Sequence, residues 1–200
     1  LAIPFFILAG NIMSRSITGK LIDICNAIIG HIKGSLSLVT ILASALFGAI
    51  SGSGVATASA IGGITIPAMK REGYPAPFAV GVASISSILG PIIPPSIVLI
   101  VYASITNVSV AELFLGSVLP GIILAALFMG YTIVWALMNP DKVPPADQEM
   151  SFTQKVYASR HLIPVVSLIV AVLGSIYTGI ATATEAAALG VVGALIIAAV

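Results

Sequence analysis

Charged residues along the chain fall in clusters and leave long apolar intervals between them. Leu1 to Met13 is apolar, after which Arg15, Lys20, Asp23 and Lys33 mark a polar-flanked stretch. Ser35 to Met69 carries no charge. Lys70, Arg71 and Glu72 close that interval ahead of a turn-like Gly73-Tyr74-Pro75. Ala76 to Val110 is again uncharged, and Glu112 opens a segment leading into the apolar run Leu119–Met138. A polar loop from Asn139 to Arg160 holds Pro140, Pro144 and Pro145; Leu162 to Tyr177 is apolar, Glu185 stands alone, and Ala186 to Val200 is apolar. A transmembrane helix needs about 20 mainly apolar residues. The pattern therefore predicts an all-α integral membrane protein forming one membrane domain. Its expected parts are a partial span at 1–13, a cytoplasmic-side arm at 14–34, a re-entrant hairpin at 35–69 and a broken span at 76–106. A span at 115–138, a cytoplasmic loop at 139–160, a span at 162–177 and a partial span at 186–200 complete it.

The cations supply the orientation. Arg15, Lys20 and Lys33 lie in the first link, Lys70 and Arg71 in the second, and Lys142, Lys155 and Arg160 in the fourth, whereas the links near Asn107–Glu112 and Thr178–Glu185 hold none. Cytoplasmic loops collect Lys and Arg, so the three basic links are expected inside and the other two outside. The chain between Ser35 and Met69 must then return to the side it left. Its 35 residues are too few for two full spans of about 20 residues plus a turn. A re-entrant hairpin satisfies this, with Ser51-Gly52-Ser53-Gly54 as its helix-breaking tip between small residues; a kinked ordinary span with slipped topology is the alternative. Non-helical backbone at membrane depth is tolerated only where protein or a water-filled cavity surrounds it. The tip is therefore expected to face protein.

The following span is interrupted as well, by Gly90-Pro91-Ile92-Ile93-Pro94-Pro95-Ser96. Proline lacks an N–H and clashes with the preceding turn, and three within five positions cannot sit in a continuous helix. The break exposes carbonyls around Gly90 to Ile93, and a half-helix can begin near Ser96. Two interrupted segments close in sequence point to a transporter site. Carbonyls and hydroxyls suit a hard cation such as Na⁺, and half-helix N-termini suit a carboxylate; a proline kink with no ligand is the plainer reading of the second motif alone.

Composition narrows the classes. The chain is 58% hydrophobic and 8% charged with a mean hydropathy of +1.17, against roughly 25% charged residues in soluble domains. Eight Lys/Arg against seven Asp/Glu give no basic face for nucleic acid. The single cysteine, Cys25, excludes an internal disulfide or a cysteine-based metal site. His31 and His161 flank basic residues at predicted membrane ends, too far from Ser51 or Ser53 for an intramembrane protease, so no enzyme is expected. Phosphate-binding and dinucleotide motifs are absent. Glu185 reads as a first-turn acid of the helix that follows. Gly54–Ser59 and Gly179–Thr184 look alike, but the second falls in an outside link and is read as a coincidence of small residues. Both ends lie within apolar runs, so the natural protein is expected to extend both ways, with any inverted repeat of the hairpin beyond Val200.

Several ordered motifs now carry a resemblance. Ile3-Pro4-Phe5-Phe6-Ile7-Leu8-Ala9-Gly10, Phe47-Gly48-Ala49-Ile50-Ser51-Gly52-Ser53, Ala56-Thr57, Ile66-Pro67-Ala68-Met69, Gly73-Tyr74 and Ile93-Pro94-Pro95-Ser96 resemble the large permease subunit (DctM-like) of tripartite ATP-independent periplasmic (TRAP) transporters. Gly179 with Thr182-Ala183-Thr184-Glu185-Ala186-Ala187 resembles another segment of that family, with Ala183 where a proline is common. The resemblance covers essentially the whole chain. It implies an elevator-type, Na⁺-coupled importer of carboxylates such as C4-dicarboxylates or sialic acid in a bacterial or archaeal inner membrane. It also implies a periplasmic binding protein (DctP-like) and a small membrane subunit (DctQ-like) as partners, and no cofactor beyond Na⁺ as the coupling ion. Carried over by motif, the Na⁺ contributors are Ser51 and the carbonyls of Gly90, Ile93 and Pro95; Ser53, Gly54, Asn11, Thr57 and Ser96 are further candidates on the ion or substrate path. A DASS-like carboxylate carrier, which needs no binding protein, is the alternative. A channel would need a continuous polar lining, whereas here the polar groups gather at two breaks.

Overall fold

A computed structural model describes residues 2–30, 32–144 and 162–199. Among these residues there is no strand. The helices are α1 (Ala2–Ser16), α2 (Thr18–Ile29), α3 (Ser35–Ser51), α4 (Gly54–Arg71), α5 (Ala76–Ser87), α6 (Leu89–Ile92), α7 (Ile97–Thr106), α8 (Val110–Met138), α9 (Leu162–Tyr177) and α10 (Ala183–Ala199), with a 3-10 turn at Pro140–Lys142. His31, Lys155, Arg160, His161 and most of the loop read at 139–160 lie outside the described residues.

α3 is the central element, touching α1, α2, α4, α5, α6 and α8. Nearly all of it is buried, including Ser37, Thr40, Ser44 and Ser51. A hydroxyl inside an apolar core needs a partner, and helix carbonyls supply it: Ser37 Oγ donates to Gly34 O at 2.7 Å and Thr40 Oγ1 to Leu36 O at 2.7 Å. α3 stops at Gly52, whose φ of +60° is left-handed, a conformation glycine adopts without a Cβ penalty. Ser53 is extended and caps α4, its hydroxyl accepting from Ala56 N at 3.4 Å. Gly52 and Ser53 alone thus join two helices that lie against each other. Gly54, read as part of the tip, is the first residue of α4.

The second interruption runs from Ile93 to Ser96 and bends Ala76–Ile92 away from Ile97–Thr106 by 41°. α8 is the one single helix among the described residues long and apolar enough to cross a membrane, and the bent pair passes the same test if taken as one span. Its 29 residues rise about 43 Å at 1.5 Å each, ample for a hydrocarbon core of roughly 30 Å. Leu115, Leu119, Ile122, Leu127, Val134 and Leu137 point outward along it. The helix contains all of 115–138 and starts earlier, at Val110, after the extended Ser109; Pro120 lies inside it. α9 and α10 are apolar helices with 16 and 17 described residues.

Three links converge on one end of the bundle. A Cβ added to Gly34 would lie 3.0 Å from Ala136 Cβ and 3.4 Å from Val143 Cγ1. Phe78 stacks on Trp135 with ring centroids 3.6 Å apart, and Tyr74 lies parallel to Phe78 at 6.0 Å. The basic links before α3, after α4 and after α8 therefore lie together. Elsewhere α1 packs along α10, with Phe6, Ala9 and Met13 in one core with Ala186, Ala187 and Ala194.

Candidate functional site

The turn between α3 and α4 meets the break between α6 and α7. The carbonyl of Gly52 accepts the N–H of Ile97 at 3.2 Å. A Cβ on Gly52 would sit 2.6 Å from Pro95 O and 3.3 Å from Ser96 Cα. One on Gly90 would sit 2.9 Å from Thr57 Oγ1 and 3.0 Å from Ser53 O. Both glycines are there because the two backbones touch. Gly48 makes a third such contact, its notional Cβ 2.7 Å from Gly90 Cα.

Oxygen atoms collect at this crossing. Ser51 is 1% exposed and Thr57 is wholly buried, with their hydroxyl oxygens 3.5 Å apart. Thr57 Oγ1 donates to Ser53 O at 2.8 Å, and Ser53 N approaches Ser51 Oγ at 3.4 Å, a long contact. On the facing side, the helical partners of the Gly90 and Pro91 carbonyls would be Pro94 and Pro95, which have no N–H. Ile93 N is occupied by Leu89 O at 2.8 Å. Among the described residues, the hydrogen bond made to this pair of carbonyls is from Ser96 Oγ to Pro91 O at 2.6 Å. Gly90 O is left without a helical partner.

The structure thus brings Ser51, Ser53, Gly54, Thr57, Gly90, Pro95 and Ser96 together. Gly54 faces Ser87 O and the Pro91 ring. Ile93 contributes backbone to the same break, while its side chain points to Gly121 on α8. Asn11 is exposed; its neighbour Gly10 is the residue that meets Ser51, a Cβ there lying 2.9 Å from Ser51 Cβ. The start of α7, read as a place for a carboxylate, is capped by protein: Ile97 N bonds Gly52 O and Leu99 N bonds Ser96 Oγ at 3.3 Å. Gly48 and Gly52 are contact residues that sequence reading does not single out: Gly48 lies against Gly90, and the left-handed Gly52 against the backbone of Pro95 and Ser96.

The cluster contains hydroxyls and carbonyls and no fixed charge. No group of three His, Cys, Asp or Glu that would hold a metal ion exists among the described residues. Neutral oxygens of this kind suit a weakly charged hard cation, whose burial cost several dipoles offset. Glu185 plays a different part. Its carboxylate accepts from Thr182 N and Thr182 Oγ1, both at 2.8 Å, while Glu185 N approaches Thr182 Oγ1 at 3.4 Å. That reciprocal pair is a capping box at the start of α10. It also separates the two look-alike stretches: Gly179 turns with φ +71° in a link, whereas Gly54 opens a helix.

Over residues 1–200 the chain matches the family model described as tripartite ATP-independent periplasmic transporter, DctM component. It is 42% identical over 193 residues to the C4-dicarboxylate TRAP transporter large permease protein DctM of Pseudomonas aeruginosa, covering 96% of this chain and 44% of that protein. It is 37% identical over 199 residues to the sialic acid TRAP transporter large permease protein SiaM of Vibrio cholerae, covering 98% and 45%. The ectoine/5-hydroxyectoine TRAP transporter large permease protein UehC of Ruegeria pomeroyi is 36% identical over 198 residues, covering 98% and 46%. The chain spans a little under half the length of these curated relatives.

Proposed function

The chain belongs to the DctM component family of tripartite ATP-independent periplasmic transporters, and from that premise we propose that it forms part of the large permease of a Na⁺-coupled importer of carboxylate solutes. The single observation that carries the ion coupling is the crossing of two interrupted helices. Unwound backbone, two buried hydroxyls and an unpartnered carbonyl meet there without a fixed charge. Na⁺ would be held by Ser51 with the carbonyls of Gly90, Ile93 and Pro95, and Thr57 stands close enough to assist.

The same proposal reads α3 and α4 as a re-entrant hairpin. The convergence of the three basic links at one end of the bundle supports it. The protein would sit in an inner membrane with a DctQ-like small subunit and receive solute from a DctP-like periplasmic binding protein. The hairpin and the broken span would move as one unit in an elevator cycle. Relatives carry C4-dicarboxylate, ectoine and sialic acid in their names; the carboxylate class, a C4-dicarboxylate or sialic acid for instance, is proposed from the first and last of these. The family match favours this over a DASS-like carrier.

The test is uptake into proteoliposomes holding the full-length permease and its small subunit. Accumulation is expected only with an inward Na⁺ gradient and added binding protein. Saturable uptake without the binding protein, or uptake driven by protons alone, overturns the reading.

A further inference from the structure

In a continuous helix the carbonyls of Gly90, Pro91, Ile93 and Pro95 would accept from the N–H groups four residues on, at positions 94, 95, 97 and 99. None of the four bonds forms. Positions 94 and 95 are prolines, which have no N–H. Ile97 N turns to Gly52 O, and Leu99 N turns to Ser96 Oγ. Of the four carbonyls, Pro91 O alone regains a partner among the described hydrogen bonds, the hydroxyl of Ser96 at 2.6 Å.

Ser96 therefore acts on two carbonyls at once. Its proton goes to Pro91 O, five residues back across the break. Its oxygen draws the N–H of Leu99 away from Pro95 O. A hydroxyl has one proton to give, and the residue is wholly buried, so Ser96 is committed to this clasp. We infer that Ser96 is the positioning residue that decides which oxygens of the break are free, occupying Pro91 O and keeping Pro95 O unpaired, so that Gly90, Ile93 and Pro95 form the cation-facing set. This role rests on the Na⁺ site proposed above. Without the hydroxyl, Leu99 N returns to Pro95 O, α7 gains a turn at its start, and Pro91 O becomes a competing buried dipole.

The experiment follows the thermal midpoint of the purified full-length permease as Na⁺ replaces choline at constant ionic strength. A cation that binds only the folded state raises the midpoint by mass action. Ser96→Ala is expected to raise the Na⁺ concentration giving half of that shift by about tenfold, the consequence of losing one buried hydrogen-bonding group. Ser96→Thr, which keeps the hydroxyl at a capping position, is expected to return it to within about twofold of the natural protein. A merely structural cap would lower the midpoint in choline and leave the Na⁺ concentration unchanged. If Ser96→Ala does not fold, Ser96→Cys, similar in size but a weak donor and acceptor, takes its place. An unchanged Na⁺ concentration in the Ala or Cys variant, alongside a shift in Ser51→Ala, overturns the role of Ser96 and leaves the site standing. A natural protein indifferent to Na⁺ overturns the site, and this role with it.

Discussion

The carbonyl of Gly52 accepts the N–H of Ile97 at 3.2 Å, so the turn that ends α3 is bonded to the residue that begins α7. The bond frees the Ile93 carbonyl, which a continuous helix would have paired with that N–H. It also fixes the distance between the two interrupted segments, because each provides what the other's interruption left unpaired.

Gly52 is the residue this contact tolerates least to lose. Its φ is +60°, and an added Cβ would lie 2.6 Å from Pro95 O. Gly52→Ala is predicted to destabilise the full-length protein by on the order of 2–5 kcal/mol, from left-handed backbone strain and overpacking together. Gly81→Ala is the control, since nothing lies within 4 Å of that position; helix propensity makes it neutral or stabilising by up to about 1 kcal/mol. Thermal midpoints of the two variants in detergent check the difference.

The side of the membrane reached by the basic links is open to cysteine labelling. Cys25 is buried, and burial pushes its thiol up to about 12, so near pH 7 it is almost entirely the unreactive thiol. Lys33→Cys and Arg71→Cys are predicted to react with a membrane-impermeant maleimide from the cytoplasmic side, with Cys25 silent until the protein is denatured. Labelling of the two positions from opposite faces would show that 35–69 crosses the membrane.

The links and breaks were legible in the sequence because their causes are local. Lys70, Arg71 and Glu72 are costly to bury, so they mark an end, and Pro94 and Pro95 remove N–H groups wherever they stand. Glu185 as a first-turn acid was legible for the same reason: its partner Thr182 is three residues away. The meeting of Gly48 with Gly90, of Gly52 with Pro95 and of Gly10 with Ser51 was not. Those contacts depend on how distant helices cross, which no local period encodes. Asn11 was carried over by motif, and its position depends on the same crossing: one residue along α1 turns the direction by about 100°, which puts Gly10 against Ser51 and leaves Asn11 exposed. Ser96 was a motif-based candidate for the ion path, and the partners of its hydroxyl, Pro91 O and Leu99 N, could not be read from the sequence.

The capping box of α10 should be separable from ion binding. Thr182→Ala removes the hydroxyl that donates to the Glu185 carboxylate and accepts from Glu185 N, leaving the bond from Thr182 N in place, and loss of such a cap costs roughly 0.5–2 kcal/mol. A lower thermal midpoint with an unaltered response to Na⁺ is the expected outcome. A changed Na⁺ response would move Glu185 and Thr182 into the ion path.

The most direct measurement is the Na⁺ concentration for half-maximal uptake by the full-length transporter carrying Ser51→Ala. Ser51 is 1% exposed, with its hydroxyl 3.5 Å from that of Thr57 at the crossing of the two interrupted helices. Removing one uncharged ligand oxygen costs on the order of 1–3 kcal/mol, about tenfold or more in Na⁺ affinity. Half-maximal uptake is therefore predicted to require about tenfold more Na⁺, with the variant still inserted in the membrane, while Ser109→Ala in the link before α8 changes little. An unchanged Na⁺ dependence in Ser51→Ala, or natural uptake that ignores Na⁺ and follows a proton gradient, contradicts the assignment.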